Sequence, residues 1–141
     1  MRASSASAID LRPVGRVESP LTDPAQAPRQ GDEGAPDAWL VVDAGYAEAA
    51  HDLAVGDELV VLTWLDRARR DVQVTQPRGD PFAPLTGVFA TRSPDRPNPI
   101  GLHEVRVLAV DGLRIQVSGL EAVDGTPVVD IKPRLGPVGE R

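Results

Sequence analysis

The chain has 141 residues and contains no cysteine. This absence excludes disulfides, thiolate zinc sites, iron–sulfur clusters and cysteine nucleophiles. Histidine is almost as scarce, since only His51 and His103 occur. A histidine-based metal centre would have to gather carboxylates from elsewhere, and no cluster with ligand spacing is visible. We therefore expect no metal, and we expect both histidines to lie at the surface.

Long apolar runs and an excess of positive charge are also missing. No stretch approaches the roughly 20 apolar residues of a membrane span, and the first ten residues lack an apolar signal core. We therefore expect a cytoplasmic protein with no membrane partner. The formal net charge of −6 argues against broad, non-specific binding of nucleic acid. A local basic patch remains open, because several cations lie in loops that could converge: Arg67, Arg69, Arg70, Arg78, Arg92, Arg96, Lys132 and Arg134.

The apolar residues fall in short alternating segments separated by frequent turn signals. This pattern predicts strands at 14–18, 39–43, 58–64, 72–76, 102–110, 113–118 and 127–131. Asp111-Gly112 lies between two such segments and predicts a hairpin turn, because glycine tolerates a positive φ. Helix propensity is best at Tyr46–Leu53, where we expect one short helix. The absence of alternating strands and helices favours an all-β barrel or sandwich.

One folded domain is expected at residues 13–135. Residues 1–12 and 136–141 are predicted to be flexible tails, and we expect no additional C-terminal domain. Ser19–Asp37 is rich in proline, glycine and acidic residues and is predicted to be a long loop. A loop of that length in a compact domain is usually functional or disordered.

The most informative segment is Thr86–Leu102, which has three prolines within six residues: Pro94, Pro97 and Pro99. Proline fixes φ and lacks an N–H, so this loop is stiff and its carbonyls lack partners in a strand ladder. It also supplies polar side chains from Arg92, Ser93, Arg96 and Asn98. This combination suits a polar, charged small molecule. The alternative is a rigid turn in which the arginines only hydrogen-bond local carbonyls.

A second informative segment is Asp124–Pro133, with the sequence DGTPVVDIKP. Asp130 and Lys132 fall on the same face of a short strand, because side chains alternate with a period of two. The two charges are either an exposed ion pair worth less than about 1 kcal/mol or part of a polar pocket. In a pocket, Asp130 would bind an amine and Lys132 a carboxylate.

Together, the segments GVFATRSPDRPNPIGL and DGTPVVDIKP resemble the signature pair of the TrmO/TsaA-like methyltransferases. VGRVESP near the start and the tripeptide Pro28-Arg29-Gln30 are further matches, so the resemblance spans Val14–Pro133. It implies a compact antiparallel β-barrel of about seven strands with one short helix. It also implies a homodimer that uses S-adenosylmethionine to methylate N6 of threonylcarbamoyladenosine next to the tRNA anticodon.

The resemblance also implies roles for individual residues. In the first segment, the residues implied to bind the methyl donor are Phe89, Ala90, Thr91, Arg92, Ser93, Arg96, Pro97, Asn98, Ile100, Gly101 and Leu102. In the second segment they are Asp124, Thr126 and Pro133, together with Asp130 and Lys132. Arg29 and Gln30 match a loop that reaches the neighbouring site of the dimer.

Three functions follow from these observations. The first is the tRNA methyltransferase, the second a methyltransferase of a small metabolite, and the third a non-catalytic module that binds S-adenosylmethionine. An acylated N6 is a poor nucleophile, so we expect deprotonation or hydrogen bonding to assist it, with Asp130 and Lys132 as the catalytic candidates. Either Arg92 or Arg96 is expected to pair with the donor carboxylate, because a guanidinium binds a carboxylate through two bonds.

Overall fold

The computed structural model describes residues 8–23, 34–77 and 80–136, so Arg29 and Gln30 lie outside the described residues. Residues 1–7 and 137–141 of the two predicted tails also lie outside them. The strands are β1 Gly15–Glu18, β2 Ala38–Val42, β3 Glu58–Trp64, β4 Val74–Thr75, β5 Thr86–Gly87, β6 Ile100–Asp111, β7 Arg114–Val117 and β8 Pro127–Pro133. Within this part of the chain, no helix is long and apolar enough to cross a membrane.

Six strands form an antiparallel barrel in the order β1-β2-β7-β6-β3-β8. A short β1–β8 pairing, Gly15 with Val128 and Arg16 with Pro127, joins the two ends of the order. The remaining strands, β4 and β5, pair only with each other and form a separate two-stranded arm. The predicted antiparallel β-barrel is therefore confirmed.

Alternating side chains fill the barrel interior. In β3, Leu59, Val61 and Thr63 are buried, whereas the intervening residues face outward. Burying one valine or leucine side chain contributes about 1.5–3 kcal/mol. The apolar core takes residues from all six barrel strands and from the connection after β7: Val17, Ala38, Leu40, Val42, Leu59, Val61, Val105, Val107, Ile115, Val117, Leu120, Ala122 and Val128.

The predicted hairpin at Asp111-Gly112 joins β6 to β7, and Gly112 has a φ of 61°. The predicted helix at Tyr46–Leu53 is wrong. A 3₁₀ turn covers Ala44–Tyr46, and the bonds that follow mostly span three residues, as from Leu53 N–H to Ala50 O at 3.2 Å. Two turns are too short to offset helix nucleation. Packing of Tyr46, Ala50 and Leu53 against the core therefore decides the local conformation.

A β-bulge in β8 sets which way its charged residues point. Thr63 pairs with Val128 and Leu62 with Asp130, so Val129 is the extra residue. Because a bulge shifts the alternation by one residue, Val128 faces inward, and so does Ile131, which packs against the core. Asp130 and Lys132 consequently lie on the outer face.

The topology brings the two informative segments to one end of the barrel. β3 pairs with β6 on one side and with β8 on the other, both antiparallel. The end of β3 at Trp64 therefore lies beside the start of β6, which follows the proline loop, and beside the start of β8, which follows Asp124-Gly125. Since β3 lies between them, β6 and β8 are two strand spacings apart, about 10 Å.

Candidate functional site

Arg96 organises the proline loop, defined here as residues 88–99. Its guanidinium donates to three backbone carbonyls: Thr91 O at 3.0 Å, Ser93 O at 2.9 Å and Val88 O at 2.9 Å. The side chain is half-buried, and its guanidinium forms no ion pair with a carboxylate of the described residues. For Arg96, the alternative interpretation of an arginine that bonds local carbonyls is therefore correct.

A second arginine supports the same loop from outside. Arg70 donates to Pro97 O at 2.8 Å and to Asn98 Oδ1 at 2.9 Å, and its guanidinium lies 5.1 Å from the centre of the Trp64 ring. Leu65 N–H donates to Pro99 O at 2.8 Å. The proline-rich backbone was expected to leave carbonyls free for a ligand, but the protein itself satisfies most of them.

The polar residues at the start of the loop mostly bond within it. Thr91 Oγ1 donates to Val88 O at 2.9 Å and accepts from Ser93 N–H at 3.2 Å. Arg92 is different, because it is exposed and makes no hydrogen bond or ion pair within the described residues. Phe89 is 85% exposed and the neighbouring Ala90 is exposed as well. Of the two candidate arginines, Arg92 is thus the one available to an anionic group.

The outer face of β6, β3 and β8 carries the other candidates side by side. Leu102 pairs with Leu62, and Leu62 pairs with Asp130, so these three form one row across the sheet. Ile100 pairs with Trp64 in the next row toward the proline loop. Ile100 and Leu102 are 44% and 43% exposed, which leaves an apolar shelf beside a carboxylate.

Asp130 and Lys132 form an ion pair on this face. The Lys132 Nζ lies 3.2 Å from Asp130 Oδ2, and the two side chains are 62% and 49% exposed. Asp130 Oδ1 also accepts from the N–H of Ile131 at 2.9 Å. The predicted shared face is confirmed, and half of each charged group remains open to a ligand. Pro133 ends the strand and is exposed.

The Asp124-Gly125 turn lies beside a different surface. Asp124 Oδ1 accepts from Ser19 N–H at 3.0 Å, and Gly125 has a φ of 84°. Thr126 is buried, and its hydroxyl donates to Val123 O at 2.7 Å. These bonds hold the turn rather than face a ligand. An open cleft of about 600 Å³ next to the turn is lined by Arg16, Val17, Glu18, Ser19, Pro20, Asp37, Trp39, Asp124 and Gly125.

The expectation that both histidines lie at the surface is wrong for His103. His51 is exposed, whereas His103 is 4% exposed inside the barrel. Its Nε2 and Thr63 Oγ1 share a hydrogen bond of 2.7 Å, and its Nδ1 bonds Glu121 Oε1 at 2.7 Å. His103 occupies an inward position of β6, between Gly101 and Val105. The alternation of that strand was the signal that could have placed it inside.

The basic cluster near the loop is largely paired within the chain. Arg67 donates to Thr22 O at 3.1 Å, and Arg69 makes two bonds to Asp71 at 3.1 and 3.0 Å. The hydrogen bond from Arg69 holds the pKa of the Asp71 carboxyl below its usual value.

No group of three or more potential metal ligands is found among the described residues.

Sequence reasoning missed two members of the site, Leu62 and Trp64. Both belong to β3, which the sequence predicts correctly as a strand, although only alternate residues of it are buried. Their outward direction depends on which strands flank β3, and the sequence does not reveal that order. The fold and the site together define a small antiparallel β-barrel protein with a candidate ligand surface on its outer face.

Comparison with known proteins identifies the family. A family model described as the tRNA-methyltransferase O N-terminal domain matches residues 16–137. The chain belongs to this family. The predicted resemblance to the TrmO/TsaA-like proteins is thereby confirmed.

Curated relatives and solved structures agree with this assignment. A probable S-adenosyl-L-methionine-binding protein of Archaeoglobus fulgidus is 44% identical over 125 residues, which cover 89% of this chain but 34% of that protein. A second Archaeoglobus fulgidus S-adenosyl-L-methionine-binding protein is 42% identical, with 86% of each chain covered. The crystal structure of TrmO from Pseudomonas aeruginosa superposes with a TM-score of 0.73 at 28% identity, and covers 92% of this chain and 57% of that one. The chain thus spans only part of some of its relatives.

Proposed function

We propose that this protein is a methyltransferase that uses S-adenosylmethionine and acts on N6 of threonylcarbamoyladenosine next to the tRNA anticodon. One observation carries the proposal. In a chain of the tRNA-methyltransferase O family, the proline loop leads into β6 on one side of β3, and Asp130 and Lys132 pair with Leu62 and Val60 on the other side.

The residues of the outer face fit this methyl donor. The apolar shelf of Ile100 and Leu102, with Trp64 paired to Ile100 beside it, offers contact area for the adenine ring. Arg92 has no partner in the part of the chain that the structure describes, and it is available to pair with the carboxylate of the amino acid end. When bound, S-adenosylmethionine supplies an electrophilic methyl group on a cationic sulfur.

The chain's own residues would then mainly position the acceptor. Methyl transfer requires in-line approach, so holding the nucleophile in place supplies much of the rate. An acylated N6 has little basicity, and a carboxylate that accepts its proton or its hydrogen bond raises its nucleophilicity. Asp130 is the candidate for this role, and Lys132 orients it through the 3.2 Å ion pair.

We also propose that the protein works as a homodimer in the cytoplasm. The site is a shallow surface rather than an enclosed pocket, so a second copy is needed to cover it. Large exposed apolar side chains near the arm of β4 and β5 support this: Phe82 at 94% and Leu85 at 70% in the connection between the two strands, and Phe89 at 85% just after β5. Exposed apolar patches mark interaction surfaces. Arg29 and Gln30 are proposed to reach the neighbouring site.

A small metabolite is the second candidate acceptor, and a specific observation favours it. Arg67, Arg69 and Arg70 all bond within the chain, so fewer cations are available for phosphates than the sequence suggests. The net charge of −6 points the same way. A tRNA acceptor would therefore depend on surfaces formed by the dimer.

The test is a methylation assay with labelled S-adenosylmethionine and total tRNA, with and without threonylcarbamoylation. Transfer only to the threonylcarbamoylated tRNA is the expected result. Donor binding by calorimetry without transfer to either tRNA would refute the tRNA function and leave the metabolite function. Absence of donor binding would refute both.

Asp130→Asn tests the catalytic assignment. Since the amide cannot take a proton, we expect turnover to fall by about 10²-fold or more. The matched control is Lys132→Gln, which removes the orienting charge while keeping Asp130, so a smaller loss is expected. Full turnover in Asp130→Asn with unchanged donor affinity would remove Asp130 from catalysis.

A further inference from the structure

Three polar side chains form a connected network inside the barrel, at the end where the candidate site lies. Thr63 is fully buried and His103 is 4% exposed, while the Glu121 side chain is 13% exposed. Thr63 Oγ1 bonds His103 Nε2, and His103 Nδ1 bonds Glu121 Oε1, both at 2.7 Å. Glu121 Oε2 is buried without a hydrogen-bond partner in the described part of the chain. A buried, partly unsatisfied network of this kind is costly to keep and calls for an explanation.

Gly101 is what makes room for the network. A Cβ at this position would clash with Thr63 Oγ1 and would lie 2.7 Å from His103 Nε2. The imidazole therefore folds back along β6 into the space that a side chain at residue 101 would fill. The need for glycine here comes from the barrel interior rather than from the ligand surface.

The network connects the two segments of the candidate donor site. His103 follows Gly101 by two residues in β6, which begins where the proline loop ends. Glu121 precedes Asp124 by three residues, in the connection between β7 and β8. β6 and β8 are not paired with each other, since β3 lies between them. The buried bond between His103 and Glu121 thus links β6, just after the proline loop, to the connection that leads into the Asp124-Gly125 turn, through the interior.

We propose that Thr63, His103 and Glu121 are positioning residues that hold the proline loop and the Asp124–Pro133 segment at the spacing required by the methyl donor. This inference rests on the proposed function, because it concerns the same donor site. None of the three residues touches the ligand. Removal of one partner leaves another buried polar group unsatisfied, and the link then relaxes.

The test compares conservative and disruptive variants at two positions. Thr63→Val and Glu121→Leu remove a bond at nearly constant volume. Thr63→Ser retains the hydroxyl, and Glu121→Gln retains a carbonyl acceptor for Nδ1–H. The control is Val107→Ala, a buried core change four residues beyond His103 in β6. Each variant is measured for thermal unfolding and for S-adenosylmethionine affinity by calorimetry.

We expect Thr63→Val and Glu121→Leu to weaken donor binding about tenfold or more. Thr63→Ser and Glu121→Gln should stay within about threefold of the parent. Val107→Ala should lower the melting temperature while leaving the affinity within the same range, because core loss alone does not move the two segments apart.

A second readout does not depend on the donor. In the ligand-free protein, Glu121→Leu should shift the backbone amide resonance of Gly101, and Val107→Ala should not. Equal effects of disruptive, conservative and control variants on affinity, or an unshifted Gly101 resonance, would overturn the inference. If Glu121→Leu shifts the Gly101 resonance but the parent protein gives no heat with S-adenosylmethionine, the proposed function is refuted and the coupling between the segments stands.

Discussion

Arg96→Ala is the sharpest test of how the proline loop is built. Three backbone carbonyls lose the guanidinium at once, those of Val88, Thr91 and Ser93, although Val88 O still accepts from the Thr91 hydroxyl. The substitution keeps the loop's other ties, among them the backbone bond from Arg96 N–H to Arg69 O at 3.0 Å. We therefore expect the loop to loosen while the barrel stays intact.

The magnitude follows from the three bonds of the guanidinium. A hydrogen bond from a charged donor contributes about 1.5–3 kcal/mol. Arg96 is only half-buried, so water replaces part of each lost bond, and roughly 1 kcal/mol per bond remains. The sum of about 3 kcal/mol corresponds to a fall in melting temperature of about 10 °C for a chain of this size.

Arg92→Ala is the matched control, because it changes the same residue type four positions away in the same loop. Arg92 has no partner among the described residues, so its removal should alter the free energy of unfolding by less than about 0.5 kcal/mol. Thermal and urea unfolding measure the difference. Hydrogen exchange of the amides in residues 88–99 should accelerate in Arg96→Ala alone.

Both variants should weaken ligand binding, and they should differ in their effect on stability. Arg92→Ala should weaken S-adenosylmethionine binding without loss of stability, whereas Arg96→Ala should do both. If Arg96→Ala melts like the parent, the carbonyl bonds do not hold the loop. If Arg92→Ala is destabilised as strongly as Arg96→Ala, the distinction drawn between the two arginines is wrong.

Two further predictions concern packing and pH. Gly101→Ala should lower the free energy of unfolding by about 1–3 kcal/mol, because the added Cβ would meet Thr63 Oγ1. Gly87→Ala is the control: nothing lies within 4 Å of an added Cβ there, so the free energy of unfolding measured by chemical denaturation should hardly change. The bond from Arg69 lowers the pKa of Asp71 from the ordinary 3.8, so the pair's contribution is present above that value and is lost as pH falls through the lower, folded pKa. Asp71→Asn should remove this small contribution. If the variant and the parent have the same free energy of unfolding at pH values above 3.8, the pairing is contradicted.

The strands were predictable because their signal is local. Glu58–Trp64 has the predicted bounds, and the hairpin at Asp111-Gly112 follows from a glycine that tolerates a positive φ. The ion pair of Asp130 and Lys132 was also within reach, since alternation alone places them on one face. The prediction of a shared face is correct despite the bulge. Val129 precedes both residues, so the bulge decides which face they share and not whether they share one.

Other features depended on long-range packing that the sequence does not display. The partners of Arg96 and one of the partners of Arg70 are backbone carbonyls, which carry no sequence signature. His103 meets Glu121 only because the connection after β7 folds beneath β6. The short helix failed at Tyr46–Leu53 for the same reason, since contact with the core outweighed local propensity.

The extra residue at Val129 interrupts the alternation that the rest of β8 follows. Deletion of Val129 would leave Val128 opposite Thr63 and Asp130 opposite Leu62, now in a regular ladder. The charged pair would therefore stay on the outer surface and Ile131 would still point into the core. What the deletion would remove is the local bend and added twist that a bulge gives to a strand, close to where β8 meets the end of β3.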